Sequence, residues 1–228
     1  MSELGAGGGR EVERLIFFSD AVMAIAITLL VIELRIPEAL DQTATDAELQ
    51  AALGDLGHGF LSVLLSFMVI AVWWVGHNRL YRSLSRIDGP LLLLNFVFLG
   101  AIAFIPFPTA LIGRFVNLPT AVILYAATNL VAGSAILAMR WHAERRGFLA
   151  AEPPDERRRR MVVASIAPLV FALAIPIAAV DATLGAISWI LMVPATLAAR
   201  WWLTRAREDA VRAEADAAGD ASTTSEAP

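Results

Sequence analysis

The 228-residue chain contains no cysteine and no lysine, and it has only three histidines. Without cysteine, disulfide bonds, thiolate metal sites and cysteine nucleophiles are excluded. The histidines, His58, His77 and His142, lie on separate segments and lack the spacing of metal ligands. We therefore predict no cofactor and no resident metal ion.

Motifs of hydrolytic enzymes are missing as well. The sequence has no Gly-x-Ser-x-Gly elbow, no His-Glu-x-x-His helix and no pair of carboxylates inside an apolar run. Asp20 is the only acid within the first half of an apolar run, whereas Glu33 and Asp181 lie at run ends that water reaches. We expect the protein not to be an enzyme.

Apolar residues make up 57% of the chain, and they are grouped in long runs. An α-helix needs about 20 apolar residues to cross a hydrocarbon core, and strand-like alternation is absent. The fold class predicted is therefore an all-α, multi-pass protein of the cell membrane. Its six predicted transmembrane helices cover residues 16–36, 57–77, 91–112, 119–139, 161–180 and 186–204.

The basic residues are all arginines, and they cluster in alternate connections, while the intervening ones are mainly acidic. Arginine-rich segments lie at both ends of the chain, after the second run and between the fourth and fifth runs. By the positive-inside rule these segments are cytoplasmic, and so are both termini. The tract 157–160 precedes a membrane helix, which favours contact with lipid headgroups over nucleic acid. We expect membrane lipids, and no nucleic acid, among the partners.

Three regions follow from this pattern. Residues 10–204 form the transmembrane domain, and the glycine-rich segment 1–9 is predicted to be disordered. The segment 205–228 is a cytoplasmic tail whose first part, to residue 217, continues the sixth helix before an Ala/Ser/Thr/acidic end that we expect to be disordered.

The first apolar run has one stripe of residues at helical spacing, with a single polar side chain in its middle. The stripe consists of Phe18, Ala21, Ile25, Thr28 and Ile32. The hydroxyl of Thr28 either bonds to the carbonyl one turn earlier, which is common in membrane helices, or belongs to a ring that lines a narrow pore. One stripe cannot enclose a pore, so the second reading requires a closed cyclic oligomer.

A charged motif precedes this stripe. Arg14 and Asp20 are six residues apart, roughly 240° around a helix and about 9 Å along it, so they are not expected to pair. At similar depth on the second helix lie His77 and, beside it, Asn78. We hypothesise an Asp20–His77 hydrogen bond, assisted by Ser19, that locks the first helix against the second.

These residues carry a resemblance to a known family. Arg14-x-x-x-Phe18-Ser19-Asp20 resembles the hallmark of the endosomal and lysosomal potassium channels of the transmembrane protein 175 type. Trp74-x-x-His77, Asn95 and the segment 106–109 (Pro-Phe-Pro-Thr) are similar to further signatures of that family. The motif match covers roughly the first half of the chain. Taken with the hypothesised lock, it gives a predicted helix-locking motif that consists of Arg14, Phe18, Ser19, Asp20, His77, Asn78 and Asn95.

The resemblance implies a homotetramer of single-repeat chains, as in prokaryotic members, in which the first helix lines a central pore for K⁺. It places the hydrophobic constriction at Ile25 and the selectivity-linked threonine at Thr28, and periodicity adds Ile32. The sequence has no Thr-Val-Gly-Tyr-Gly filter segment, so selectivity for K⁺ over Na⁺ is expected to be weak. A secondary transporter, suggested by prolines within the runs, and a non-conducting membrane scaffold remain alternatives.

Overall fold

The computed structural model describes residues 3–34, 43–150 and 153–190, together with 198, 201 and 205. Within these residues the regular structure is α-helical, the connections are turns and irregular segments, and one backbone bridge joins Leu84 to Leu149. The helices are α1 (Glu3–Ile32), α2 (Asp46–Asp55), α3 (Gly57–Arg82), α4 (Gly89–Phe104), α5 (Pro106–Phe115), α6 (Pro119–Arg145), α7 (Pro154–Val180) and α8 (Ala182–Ile190).

Five segments of the described chain are long and apolar enough to cross a membrane, which confirms an all-helical, multi-pass membrane protein. They are Gly9–Ile32, Gly57–Arg82, Gly89–Phe115, Pro119–Arg145 and Asp155–Val180. Each overlaps one of the first five predicted helices, but several continue into arginine-rich turns, because a helix does not end where its apolar run ends. The sixth predicted helix, 186–204, lies mostly outside the described residues, as does the tail 205–228 apart from Arg205.

The first helix begins earlier than the apolar pattern indicates. α1 starts at Glu3 and includes most of the segment 1–9, for which the glycine content predicted disorder. Each glycine inside a helix costs about 1 kcal/mol relative to alanine, so the apolar residues that follow must propagate this end of the helix.

The third membrane segment is interrupted rather than continuous. α4 ends at Phe104 and α5 begins at Pro106, with Ile105 between them. Pro106 and Pro108 have no backbone N–H and cannot donate to the carbonyl one turn earlier, so the helix is interrupted there. α7 also contains Pro168 and Pro176, yet it runs without a break from Pro154 to Val180.

The bundle has two chemically different ends. Its arginine-rich end holds the start of α1, the end of α3 and the turn between α6 and α7, whereas Glu33 and Asp55 lie at its acidic end. α6 is the most enclosed helix and packs against α4, α5 and α7. Gly133 permits one close approach: a Cβ there would lie 2.9 Å from the Trp73 ring and 3.1 Å from Pro168.

A compact turn ties two connections together at the arginine-rich end. α6 ends in a Schellman motif, in which Gly147 has φ 65° and the Phe148 N–H donates to the Ala143 carbonyl over 2.9 Å. The Ser85 N–H then donates to the Phe148 carbonyl over 2.8 Å, and the Arg86 guanidinium lies 4.6 Å from the centre of the Phe148 ring. The α3–α4 and α6–α7 connections are thereby joined.

Asp88 completes this turn as the N-cap of α4. Its carboxylate accepts a hydrogen bond from the Leu91 N–H over 3.0 Å, contacts His142 Nε2 at 2.8 Å, and lies 3.6 Å from Arg146 Nε. Partial burial by itself raises the pKa of Asp88. The hydrogen bonds from His142 and Leu91 and the charges of His142 and Arg146 outweigh that effect, so the pKa of Asp88 lies below its usual value.

We expect Asp88→Asn to lower stability at pH 7 by roughly 0.5–1 kcal/mol, because asparagine keeps the helix cap but loses the charge. The lowered pKa means that the carboxylate's contribution is complete above the unfolded pKa of about 3.9 and is lost as pH falls through the folded value. Thermal unfolding of detergent-solubilised protein at pH 7 and at pH 3 should show a difference from the wild type that shrinks at pH 3. An equal difference at both values would contradict this account.

Candidate functional site

One face of α1 is packed inside the chain. Ser19, Met23, Ala26 and Leu30 follow one another at intervals of four, three and four residues, and all four are buried. This spacing places them on one side of the helix, against α3, α4 and α5. The rotation of α1 about its own axis is thus set by a packed face that contains one hydroxyl.

The opposite face of α1 is the stripe found in the sequence. Phe18, Ala21, Ile25, Thr28 and Ile32 are all exposed in the single chain, with Ile25 59% and Ile32 62% exposed. An exposed apolar stripe on a membrane helix faces lipid, another chain or a pore. The sequence therefore predicted correctly that these five residues share a face.

Thr28 is the polar position of this stripe. Its Oγ1 donates a hydrogen bond to the Ile25 carbonyl over 2.8 Å. This is the intrahelical bond expected for a lone threonine in a membrane helix, and it uses the only hydrogen of the hydroxyl. The oxygen lone pairs remain available to accept, so the bond is compatible with a hydroxyl that contacts a cation.

Three buried polar side chains join α1 to α3 and α4. Asn95 Nδ2 donates to Ser19 Oγ over 3.2 Å, and Asn95 Oδ1 lies 2.8 Å from His77 Nε2. An amide oxygen can only accept, so His77 Nε2 carries the hydrogen. All three side chains are fully buried. We call Ser19, Asn95 and His77 the polar lock.

Aromatic rings enclose the histidine of the polar lock. The imidazole of His77 stacks on the Tyr81 ring, with centroids 4.2 Å apart and planes 19° apart. On its other side the Phe98 ring lies 5.1 Å away at 10°. A ring held between two parallel faces has little freedom to turn, so the direction of the Nε2–H bond to Asn95 is set by packing.

Asp20 has a different partner from the one hypothesised. Its Oδ1 accepts a hydrogen bond from Trp74 Nε1 over 2.8 Å, while His77 uses Nε2 to bond to Asn95. The direct Asp20–His77 hydrogen bond is therefore wrong, although Ser19 does reach His77 through Asn95. Trp74 lies one turn before His77 on α3. The hypothesis chose His77 because it lies at a depth in the membrane similar to that of Asp20, and depth alone does not separate residues one turn apart.

The other members of the predicted helix-locking motif are less enclosed. Arg14 is exposed, and Phe18 makes an edge-to-face contact with Phe96 of α4 at 6.1 Å. Asn78 is half-buried, and its side chain makes no hydrogen bond within the described part of the chain. The resemblance of Trp74-x-x-His77 to a family signature is the sequence signal that points to a role for Trp74.

A second polar network, which the sequence analysis missed, joins α3 to α5 and α6. Thr109 Oγ1 lies 2.8 Å from Ser66 Oγ, and Ser66 Oγ lies 3.2 Å from the Tyr125 hydroxyl oxygen, so the three hydroxyls form a hydrogen-bonded chain. One turn further along α6, Asn129 Oδ1 accepts from Trp73 Nε1 over 2.9 Å. Serines and threonines are common in membrane helices, so only their meeting in three dimensions identifies this network.

A cavity of about 680 Å³ opens at the acidic end between α1, α3 and α5. Thr109 of the second network reaches its wall, where Glu33, Asp55, His58 and Arg114 supply charged and titratable groups. Two carboxylates and one guanidinium make this mouth weakly anionic. Within the described residues, no cluster of three or more His, Cys, Asp or Glu side chains could hold a metal ion.

Comparison with known proteins relates this architecture to one family. Residues 14–106 match the family described as endosomal/lysosomal potassium channel TMEM175. A potassium channel of Streptomyces collinus is 32% identical over 136 residues, which cover 58% of this chain and 64% of the relative. A potassium channel of Chamaesiphon minutus is 38% identical over 111 residues, which cover 49% of this chain and 54% of the relative. The match thus spans about 54–64% of the length of these curated relatives.

The fold also matches a solved structure. The crystal structure of a lysosomal potassium-selective channel TMEM175 homolog from Chamaesiphon minutus superimposes with a TM-score of 0.70 at 26% identity. The superposition covers 83% of this chain and 98% of that one. Similarity over nearly the whole of that chain extends the relationship beyond the segment 14–106.

We expect Asn95→Leu to lower the stability of the protein by about 1–2 kcal/mol, because it leaves the Ser19 hydroxyl and the His77 N–H without a partner in an apolar interior. Asn78→Leu is the matched control, since it changes the same residue type at a half-buried position and should cost less than about 0.5 kcal/mol. Thermal unfolding in detergent measures both. Equal losses would mean that the polar lock contributes no more than ordinary packing.

Proposed function

We propose that the chain is a prokaryotic potassium channel of the TMEM175 type, whose α1 helices line a central pore in a homotetramer; the match of residues 14–106 to that family and the similarity to the solved Chamaesiphon homolog support this. K⁺ is then its permeant partner, and the other copies of the chain are its protein partners. The observation that carries this proposal is the arrangement of α1, which packs Ser19, Met23 and Leu30 inside the chain and leaves Ile25, Thr28 and Ile32 outside.

In a closed cyclic assembly, this exposed stripe would face the symmetry axis and line the pore. Around a symmetry axis, each stripe residue becomes a ring with one member from every chain. Ile25 and Ile32 would form two apolar layers, and Thr28 would place a ring of hydroxyl oxygens between them. The layers would be about 4.5 Å and 6 Å apart along the helix, from its rise of 1.5 Å per residue.

Ile25 would be the constriction. A narrow ring of isoleucines holds water poorly, and an ion must lose part of its hydration shell to pass. Na⁺ binds water more tightly than K⁺, so the same ring resists Na⁺ more. The intrahelical hydrogen bond of Thr28 supports its role, because it directs the hydroxyl hydrogen to the Ile25 carbonyl and leaves the oxygen lone pairs for a cation.

Selectivity by this route is expected to be weak. A hydroxyl ring replaces only part of the hydration shell, whereas glycine-rich filters surround the ion with backbone carbonyls. The sequence has no such filter segment. The chain would therefore conduct K⁺ better than Na⁺ without excluding Na⁺.

The polar lock would hold the pore-lining face in place. Each residue of a helix is rotated by about 100° from the one before, so a small turn of α1 would remove Ile25 from the axis. Ser19 is one turn from Met23 on the buried face and is bonded to Asn95. A directional bond at this position specifies the rotation of α1 in a way that apolar contacts alone do not.

The orientation follows from the charges at the two ends of the bundle. We place the arginine-rich end and both termini in the cytoplasm of a prokaryotic cell, with six membrane helices in the plasma membrane. Glu33, Asp55 and the acidic helix α2 then lie outside, where they would raise the concentration of cations near the mouth. This effect weakens as ionic strength rises.

The test is K⁺ flux and Na⁺ flux into liposomes that contain the purified protein. The wild type should conduct K⁺ faster than Na⁺. Thr28→Ala should lower the K⁺/Na⁺ ratio several-fold, because it removes the only oxygens from the stripe. Ile25→Ala should raise flux and lower selectivity, because it widens the constriction and reduces dewetting.

Val31→Ala is the matched control for both variants. Val31 is 62% exposed and lies on α1 between Thr28 and Ile32 in sequence, but it is roughly 100° away from the stripe. Its truncation should leave flux and selectivity unchanged. Flux equal to that of empty liposomes at every voltage would favour a secondary transporter or a non-conducting scaffold. If Val31→Ala changed flux and selectivity as much as Thr28→Ala and Ile25→Ala do, the exposed stripe would not be the pore-lining face.

A further inference from the structure

A second cavity, of about 650 Å³, lies at the arginine-rich end between α3, α6 and α7. It is separate from the exposed stripe of α1 and from the polar lock. Its lining is divided into a basic part and an apolar part. The walls are formed by Val72, Trp73, Gly76, Arg79, Leu80, Arg82, Ile136, Arg140, Glu156, Arg159, Arg160, Val163, Ala164 and Ala167.

The rim of this cavity has an excess of positive charge. Five arginines reach it from three helices, and Glu156 is its single carboxylate. Glu156 lies within 3.2 Å of Arg160 Nε and 3.8 Å of Arg159 NH1, so it is shared between two guanidinium groups. No ion pair within the described part of the chain includes Arg79 or Arg82. The rim therefore offers guanidinium donors to an anion from outside.

The floor of the cavity is apolar and extends towards the middle of the bundle. Val72, Ile136 and Val163 line it from the three helices. Gly76 borders free space, because a Cβ at that position would meet only Ile136 Cδ1, at 3.9 Å. A free inorganic anion would use the guanidinium groups and leave this apolar surface unfilled.

We propose that this cavity binds an anionic phospholipid from the leaflet at the arginine-rich end. The phosphate group would contact Arg79, Arg82 and Arg159, and one acyl chain would follow the floor past Gly76. Guanidinium groups bind phosphate through paired hydrogen bonds, and basic pockets between membrane helices suit anionic headgroups. The lipid would join α3 to α7, two helices that otherwise meet mainly through α6. This inference does not depend on ion conduction.

The test is native mass spectrometry of the detergent-purified chain, titrated with phosphatidylglycerol and, separately, with phosphatidylcholine. Phosphatidylglycerol should remain bound and phosphatidylcholine should not. The double variant Arg79→Gln with Arg82→Gln should weaken phosphatidylglycerol binding by about 10- to 30-fold. Gly76→Leu keeps every charge but fills the floor, and it should weaken lipid binding at least as much.

Two controls separate this site from general attraction between opposite charges. Arg157→Gln with Arg158→Gln removes the same charge from neighbouring positions of α7 that do not line the cavity, and it should leave binding within about twofold of wild type. Inorganic phosphate and glycerol phosphate at millimolar concentration should not displace the lipid.

Three results would overturn the proposal. Equal losses from the two double variants would mean that the arginines act only as a diffuse charge. Displacement of the lipid by inorganic phosphate would identify a site for soluble anions instead. Unchanged lipid binding in Gly76→Leu would show that the floor does not hold an acyl chain.

Discussion

The hydrogen-bonded contact from Ser19 through Asn95 to His77 is the interaction on which the arrangement of α1 depends. In a membrane, apolar side chains gain little by leaving lipid for protein, because lipid tails are equally apolar. Rotation of a helix is then poorly specified by apolar packing alone. Polar side chains specify it, because a buried donor or acceptor that is left without a partner lowers stability, and lipid tails offer no replacement partner. When the Ser19 hydroxyl is hydrogen-bonded to Asn95, Met23, Ala26 and Leu30 on the same face of α1 are buried within the chain, and the opposite stripe is exposed.

Helix α3 supplies most of the polar contacts between the helices. His77 reaches α4 and Trp74 reaches α1, whereas Ser66 and Trp73 contact α5 and α6. These partners are spread along the length of α3, so that several neighbours are oriented against one helix. Gly133 adds a close contact, since the Trp73 ring lies where a side chain at that position would be. These contacts of α3 thus set the rotation of α1 and the positions of α5 and α6.

The two ends of the bundle differ in the chemistry that they present to water and headgroups. At the arginine-rich end, the turn that contains Asp88 joins two connections, and the neighbouring cavity combines guanidinium groups with an apolar floor. At the acidic end, Glu33 and Asp55 border a cavity between α1, α3 and α5. Positive charge where anionic lipid is expected and negative charge where cations would enter suit a passive cation pathway in a membrane.

The sequence alone determined the class of the protein, the first five membrane helices and the five residues of the exposed stripe, because hydrophobic length and helical periodicity are local properties of the chain. It also grouped Ser19, Asp20, His77 and Asn95 within a larger predicted helix-locking motif. Which of them bond to one another was decided only by the tertiary structure: Asp20 bonds to Trp74 and His77 to Asn95. Trp74 and His77 are one turn apart on α3, so the choice depends on how α1, α3 and α4 are rotated against each other. The Thr109–Ser66–Tyr125 network and the basic cavity follow from the same packing, because their residues are far apart in sequence and meet only when the helices are assembled.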